Sequence, residues 1–254
     1  MRKATDAVTD RYSNGRCWAL AWALHKMTGW PIRAVAEPGS TPGQGIGWVH
    51  VVVERPDGML VDIHGAADFD AVMDRFEPRL DNTEDDGELI PVAPGAFQQM
   101  LGQDPVEVDA DDRSTAADVL ARLGERDTAQ RAMLGCATWT GHCYESEEDD
   151  NPEPLDSWVD VDDLPADVVQ SLTEDLNGFL NDVETECTVD DMARLDAEQV
   201  GHDFHLTRNH HGAGFWDRGH GDLGSQLTTL AQAYGHADVQ GHRDQDGNIT
   251  SVWL

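Results

Sequence analysis

Lysine is nearly missing from this chain: Lys3 and Lys26 are the only two in 254 residues, against 49 Asp and Glu. The resulting formal charge of -32 excludes direct nucleic-acid binding of the ordinary kind, which needs a basic footprint to release counterions. No run of about 18 apolar residues occurs, and Met1-Arg2-Lys3 leads into polar sequence, so neither a membrane span nor a secretory leader is expected. A cytoplasmic protein without a membrane partner follows as the expectation. No CxxC pair occurs among Cys17, Cys136, Cys143 and Cys187, which argues for reduced thiols rather than a disulfide framework and against a structural zinc site of usual spacing. No cofactor is expected, no resident metal is assigned, and no internal repeat is present.

What is abundant is acid, and two readings of it compete. Duplex DNA carries a charge every ~1.7 Å, so a surface with this excess imitates roughly 50 Å of phosphate backbone. Alternatively the acidity is a property of the whole proteome, suited to a high-salt cytoplasm or a GC-rich genome. Net charge speaks to solubility and partners rather than to fold.

The length accommodates two domains. Residues 1–92 read as an α/β unit. Trp18, Ala21, Leu24 and Met27 recur at helical spacing, and Gly29 and Pro31 stand where that helix should stop. A strand is expected at Ile32 to Ala36, followed by a Gly- and Pro-rich loop from Glu37 to Gly47 that can wall a site. GWVHVVVERPDGMLVDIHG gives two strands joined through Arg55-Pro56-Asp57-Gly58, the clearest hairpin signal in the chain. Phe69, Val72, Met73 and Phe76 then suggest a short amphipathic helix, and Asp81 to Glu88 an exposed acidic segment.

Residues 93–131 read as a connection carrying one helix near Thr115 to Leu123, and residues 132–254 as a small α+β domain. Ten acidic and no basic residues between Tyr144 and Asp163 predict a mobile or extended surface segment. Val169, Leu172, Leu176, Phe179 and Val183 form one helical stripe after Pro165, and Leu223, Leu227, Leu230 and Tyr234 another before Gly235. The chain closes on a hairpin, Ala237 to His242 and Ile249 to Leu254, turning at Asp246-Gly247.

Cys17 opens the first apolar helix directly after Asn14-Gly15. A thiolate is the reactive form of cysteine, and a helix N-terminus and a neighbouring imidazolium both stabilise it. His50 lies mid-strand, an awkward place for a polar ring, and Asp62 lies on the partner strand. Strict pairing around a two-residue turn sets residue 50 against 63; one extra residue at Gly58 brings 50 and 62 to the same face. Asp62 then holds His50 while His50 takes a proton from Cys17, with Asn14 or the Gly15 amide as oxyanion donor. His64 is a weaker substitute for His50. The plain alternative is that Cys17 is a small core residue, since free cysteine is among the most buried types.

The order C17-W-A-L-A, W48-V-H-V and L60-V-D-I-H-G, over residues 10 to about 78, resembles the papain-like superfamily in its bacterial and phage forms, including transglutaminase-like and peptidase-like domains. That resemblance implies an α+β papain-like fold and acyl transfer on an amide or ester: attack by Cys17, proton transfer by His50, orientation by Asp62. No glutamine stands just upstream of Cys17, a departure from the family pattern at the oxyanion donor.

Residues 201–224 crowd His202, Asp203, His205, Arg208, Asn209, His210, His211, Asp217, Arg218 and His220 among glycines, with no helical period. Such a segment serves as a metal site, a cradle for a ligand or partner, or a polar network that locks a loop. His202, Asp203, Arg208, Asn209, His211, Asp217 and Arg218 are the candidate ligand- or partner-binding residues. With M133-L-G-C-A-T-W-T upstream, the GHDF, LTRN and HGAGFWDR blocks resemble a recurrent uncharacterised phage domain over residues 132–254. The resemblance implies a viral or prophage accessory protein and carries no activity. His205 and His210 depart from it, where an aromatic and a glycine are expected.

The residues therefore support a phage-type accessory protein whose first domain is a thiol hydrolase or acyltransferase (peptidase, deamidase or transglutaminase-like) acting on a host protein or peptide. The opposing expectation is a non-enzymatic acidic protein that imitates DNA and binds a host DNA-handling or defence protein.

Overall fold

The structure, a computed structural model, describes residues 1–36, 48–76, 87–93, 108–146 and 149–254, with Trp48 and Val49 described through their backbone alone. The expected loop from Glu37 to Gly47, and the acidic segment up to Asp86, lie outside the described residues. The chain is mixed α+β with two sheets and divides into two units, Ala4–Leu123 and Gly124–Leu254, the second joined by Met1–Lys3. Among the described residues no helix is long and apolar enough to cross a membrane.

In the first unit, helix α1 (Asp6–Ser13) precedes helix α2 (Cys17–Thr28), which ends on Gly29 in the left-handed region at φ 76. Strands β1 (Ile32–Ala36), β2 (Trp48–Glu54), β3 (Leu60–Asp62), β4 (Gly65–Ala67) and β5 (Glu88–Val92) form one antiparallel sheet in the order β4-β3-β2-β1-β5. The period of two along a strand sends alternate side chains to opposite faces. Val51, Val53, Val61 and Ile63 pack with α2, while Val35, Val52 and Leu60 pack with Val72, Met73 and Phe76 of helix α3 (Phe69–Phe76). Helix α2 shows no single apolar stripe: Cys17, Ala19, Leu20, Ala21, Ala23 and Leu24 are all buried, whereas Met27, expected inside, is 50% exposed.

The hairpin forms where expected. Glu54 pairs with Leu60, Arg55 N–H donates to the Met59 carbonyl at 2.8 Å, and Gly58 takes φ 86, so the loop holds three residues, Pro56 to Gly58. The odd loop length keeps even-numbered residues of the two strands on one face, which is the parity His50 and Asp62 require.

Helix α4 (Ala110–Thr140) replaces the expected connection and short helix, and the division between units falls inside it, between Leu123 and Gly124. The expected helix runs only from near Thr115 to Leu123, whereas the observed one passes through Gly124. A glycine costs about 1 kcal/mol in a helix, less than the about 1.5–3 kcal/mol gained by burying one large apolar side chain. Leu123, Met133 and Leu134 are all buried, so the helix continues.

The second unit packs α4 beyond Leu123 with α5 (Ala166–Glu186), α6 (Val189–Ala193), α7 (Ala197–Arg208) and α8 (Asp222–Gln232) around Phe179, Phe204 and Phe215. Strands β6 (His142–Tyr144), β7 (Glu153–Pro154), β8 (Gln240–Arg243) and β9 (Ile249–Trp253) form its sheet in the order β7-β6-β8-β9, with β6 and β8 parallel. Two expectations are corrected here. The acidic stretch after Tyr144 carries β7 and two short 3-10 helices, because Leu155 and Val159 are buried in the core. Residues 201–208, read as lacking helical period, are helical in α7, which is buried on nearly all sides and so has no stripe to display. Gly201 permits this packing: a Cβ there would lie 1.9 Å from the Ala129 carbonyl oxygen.

Candidate active site

Helix α2 starts at Cys17 with Arg16 as N-cap, and no side chain caps it. The N–H groups of Cys17 and Trp18 have no acceptor among the described residues, so the helix presents unpaired donors and its positive end beside the Cys17 sulfur. Arg16 is held from α4. Its Nε and Nη2 reach the two carboxylate oxygens of Asp112 at 2.8 and 2.6 Å, and the Tyr12 hydroxyl donates to Asp112 at 2.9 Å. Asp112 is fully buried, and these charge-assisted bonds keep its carboxyl below its ordinary value against the effect of burial. The turn that introduces Cys17 is thereby fixed on both sides. Sequence reading missed Asp112; its only trace is the Asp109 to Asp112 spacing, in which each residue's amide is bonded by the other's carboxylate at 2.9 Å.

His50 and Asp62 come together as the hairpin parity requires. Extending the observed register sets residue 64 against 50, so Asp62 is the diagonal neighbour of His50, and His50 Nε2 lies 3.0 Å from Asp62 Oδ2. Both are buried, at 0% and 3% exposure. Asp62 is held on its other oxygen by the His64 N–H at 2.7 Å, and Arg75 of α3 stands 3.7 Å away. Phe76, also of α3, stacks on the His50 ring at 3.8 Å and 18°. Sequence reading took Phe76 as ordinary core and passed over Arg75, since nothing in the chain order announces that α3 covers this face.

The second ring nitrogen of His50, Nδ1, is buried without a hydrogen-bond partner of normal geometry among the described residues, and Cys17 is the group acting on that ring besides Asp62. Burial pushes the imidazole down. The hydrogen bonds and charges of Asp62 and Cys17 outweigh it and raise His50 to about 9. Burial likewise pushes Asp62 up, and His50, His64 and Arg75 together bring it below its ordinary value. His50 is thus bound to a carboxylate and acted on by Cys17, and its raised value favours the ring as holder of the proton the two share, the arrangement in which a base takes a thiol proton and its orienter stays ionised.

The other candidates fall elsewhere. Asn14 is exposed and its amide donates to Asp10 at 2.5 Å, so the oxyanion donors nearest the sulfur in sequence are the Cys17 and Trp18 amides rather than Asn14. His64 Nε2 pairs with the Ser13 hydroxyl at 3.0 Å, and burial lowers its pKa. Burial raises the thiols of Cys136, to about 12, and of Cys143 and Cys187.

The chain matches no protein-family model, no curated protein and no solved structure.

In the second unit, most of the candidate binding residues spend their polar atoms internally. Asp203 is buried and receives Arg218 through Nε and Nη2 at 2.6–3.0 Å, and Gln199 at 2.9 Å. Arg208, 2% exposed, donates to Asp175 and to the carbonyls of Tyr234 and Gly235, each at 2.8 Å. Asn209 accepts the Ala237 N–H at 2.7 Å, and Asp217 accepts that of Gly214 at 3.2 Å. His202 lies half-buried beside the exposed Trp139. His211 faces Asp238, a residue that sequence reading did not single out.

Proposed function

We propose that the first unit is a thiol hydrolase or acyltransferase that acts on the amide or ester carbonyl of a host protein or peptide. The observation that carries this reading is His50, fully buried, bonded through Nε2 to Asp62 and raised by Asp62 and Cys17 together, with Nδ1 left without another partner among the described residues. The papain-like resemblance of the Cys17, His50 and Asp62 segments supports the same chemistry. Cys17 gives its proton to His50 and its sulfur bonds to the carbonyl carbon, placing the oxyanion at the Cys17 and Trp18 amides. Collapse breaks the bond to the leaving amine or alcohol, which leaves with the proton from His50. Water or an acceptor amine then takes the acyl group from sulfur, returning the thiol. In this reading the second unit, whose blocks carry the phage-domain resemblance, recognises the target in the cytoplasm of the host.

A second reading rests on burial. Cys17 is 4% exposed and belongs to the α2 core cluster, which suits an inert thiol in a protein whose charge of -32 binds a basic-surfaced host protein in place of DNA. Incubation with an activated aryl ester and intact-mass analysis separates the two. The enzyme reading requires an acyl adduct on Cys17 that disappears in Cys17→Ser and in His50→Ala; an unlabelled wild type leaves the acidic binding protein.

A further inference from the structure

Two histidines of the crowded segment 201–224 and an aspartate from the expected closing hairpin meet at a point that sequence reading did not identify. Ligand atoms of His205, His211 and Asp238 lie within 4.8 Å of one another. We propose that these three side chains form a site for a zinc-class divalent cation, with a fourth position open to water or a small ligand.

The spacing has a coordination geometry in it. His211 Nε2 and Asp238 Oδ1 are 3.4 Å apart, yet both atoms are buried and make no hydrogen bond of acceptable geometry among the described residues. Two ligands on a tetrahedral ion with bonds of about 2.0–2.1 Å stand about 3.3 Å apart, whereas neighbouring ligands on an octahedral ion with the same bonds stand about 3.0 Å apart. The His211–Asp238 pair is close to the tetrahedral edge, and His205, whose ligand atom lies within 4.8 Å of both, would draw in on an ion to complete the set. Two imidazoles and one carboxylate are a zinc-type donor set, and three protein ligands are the usual complement of a site that keeps one position open.

The surroundings orient the ligands. The Thr140 hydroxyl donates to the Cys136 carbonyl at 2.9 Å and meets His205 Nε2 at 3.0 Å, so it accepts the His205 proton and leaves the other nitrogen basic. The Asn209 amide nitrogen Nδ2 lies 3.3 Å from His205 Nδ1 and 3.2 Å from Nε2, a donor that a bound ion would displace from the basic nitrogen, while Asn209 Oδ1 accepts the Ala237 N–H at 2.7 Å and ties the His205 helix to the segment that carries Asp238. His211 reaches the site because the chain reverses at His210, at φ 55, with His211 N–H donating to Leu206 O and His210 N–H to Thr207 O, the double bond pattern of a left-handed helix stop. A strained non-glycine residue beside three converging ligands is where backbone cost is expected to accompany function.

The test uses the full chain freed of metal by a chelator and titrated with Co2+, then Zn2+, in wild type, His211→Ala, Asp238→Asn and Cys17→Ser. His211 and Asp238 are half-buried, and circular dichroism of each variant without metal checks its fold. The expected result is one equivalent of Co2+ with the intense visible absorption of a tetrahedral ion, displaced by Zn2+, with affinity reduced at least tenfold in His211→Ala and in Asp238→Asn and unchanged in Cys17→Ser. Three results overturn the proposal: no tetrahedral spectrum in the wild type, several weak pale equivalents spread over the 49 acidic side chains, or a thiolate-to-cobalt band that Cys17→Ser removes.

Discussion

His50 and Asp62 are diagonal neighbours across the β2–β3 hairpin, joined at 3.0 Å with both side chains buried, and Phe76 lies flat on the ring. A carboxylate so placed occupies Nε2 and leaves Nδ1 as the nitrogen open to the thiol. Replacing it with an amide keeps the shape and removes the charge that holds the ring protonated.

Asp62→Asn is therefore expected to lower the reactivity of Cys17 toward alkylating agents at least tenfold, and to cost about 1–3 kcal/mol of stability because buried donors on His50 and His64 lose a charged acceptor. Urea unfolding and alkylation kinetics on the same variant check both parts. An unchanged alkylation rate would separate Asp62 from the thiol.

The pH dependence of stability has a definite sign. His50 rises from 6.5 to about 9 on folding, so the stability it contributes is complete below pH 6.5 and is lost as pH rises through about 9, on the order of 3 kcal/mol between the ends. Asp62, lowered from 3.8, contributes above that value and loses its contribution as pH falls through its folded value. Denaturant unfolding from pH 6 to 10 should show the alkaline loss in the wild type and a flatter profile in His50→Ala. Parallel profiles would place the ionisation elsewhere.

Gly201→Ala tests the packing of α7 on α4. The added methyl meets the Ala129 carbonyl at 1.9 Å, a backbone contact that no rotamer relieves, so a loss of about 3 kcal/mol or more is expected, at the upper end of overpacking costs. Thermal unfolding reads it directly; a wild-type melting temperature would mean the two helices do not approach this closely.

His210→Gly should stabilise, by about 0.5–1 kcal/mol, because His210 occupies φ 55, where a Cβ is penalised and glycine is not. Chemical denaturation of the variant measures the gain, and a loss would show that the His210 ring, 4.9 Å from His236, contributes more than the strain costs.

Local signals made the first unit's site legible. Pro56-Asp57-Gly58 set the hairpin, its loop length set the parity of residues 50 and 62, and the apolar run after Gly15 set the helix that begins at Cys17. What stayed hidden depends on distant chain: Asp112 reaches Arg16 across 96 positions and Phe76 reaches His50 from a separate helix, and neither has a periodicity that says so. The second unit misled for a different reason. Amphipathic stripes reveal helices with one wet face, as in α5 and α8, but α7 is buried nearly all round, and its His, Asp and Arg looked like loop chemistry until their internal partners were seen.

The measurement that tests the central claim most directly is the alkylation rate of each cysteine by a small iodoacetamide, read by peptide mass spectrometry in wild type and His50→Ala near neutral pH. The account predicts that Cys17 reacts at least tenfold faster than Cys136, Cys143 and Cys187, whose thiols burial pushes up, and loses that lead without His50. Cys17 that stays unmodified until the protein unfolds, or reacts equally without His50, would contradict it and make Cys17 a core residue.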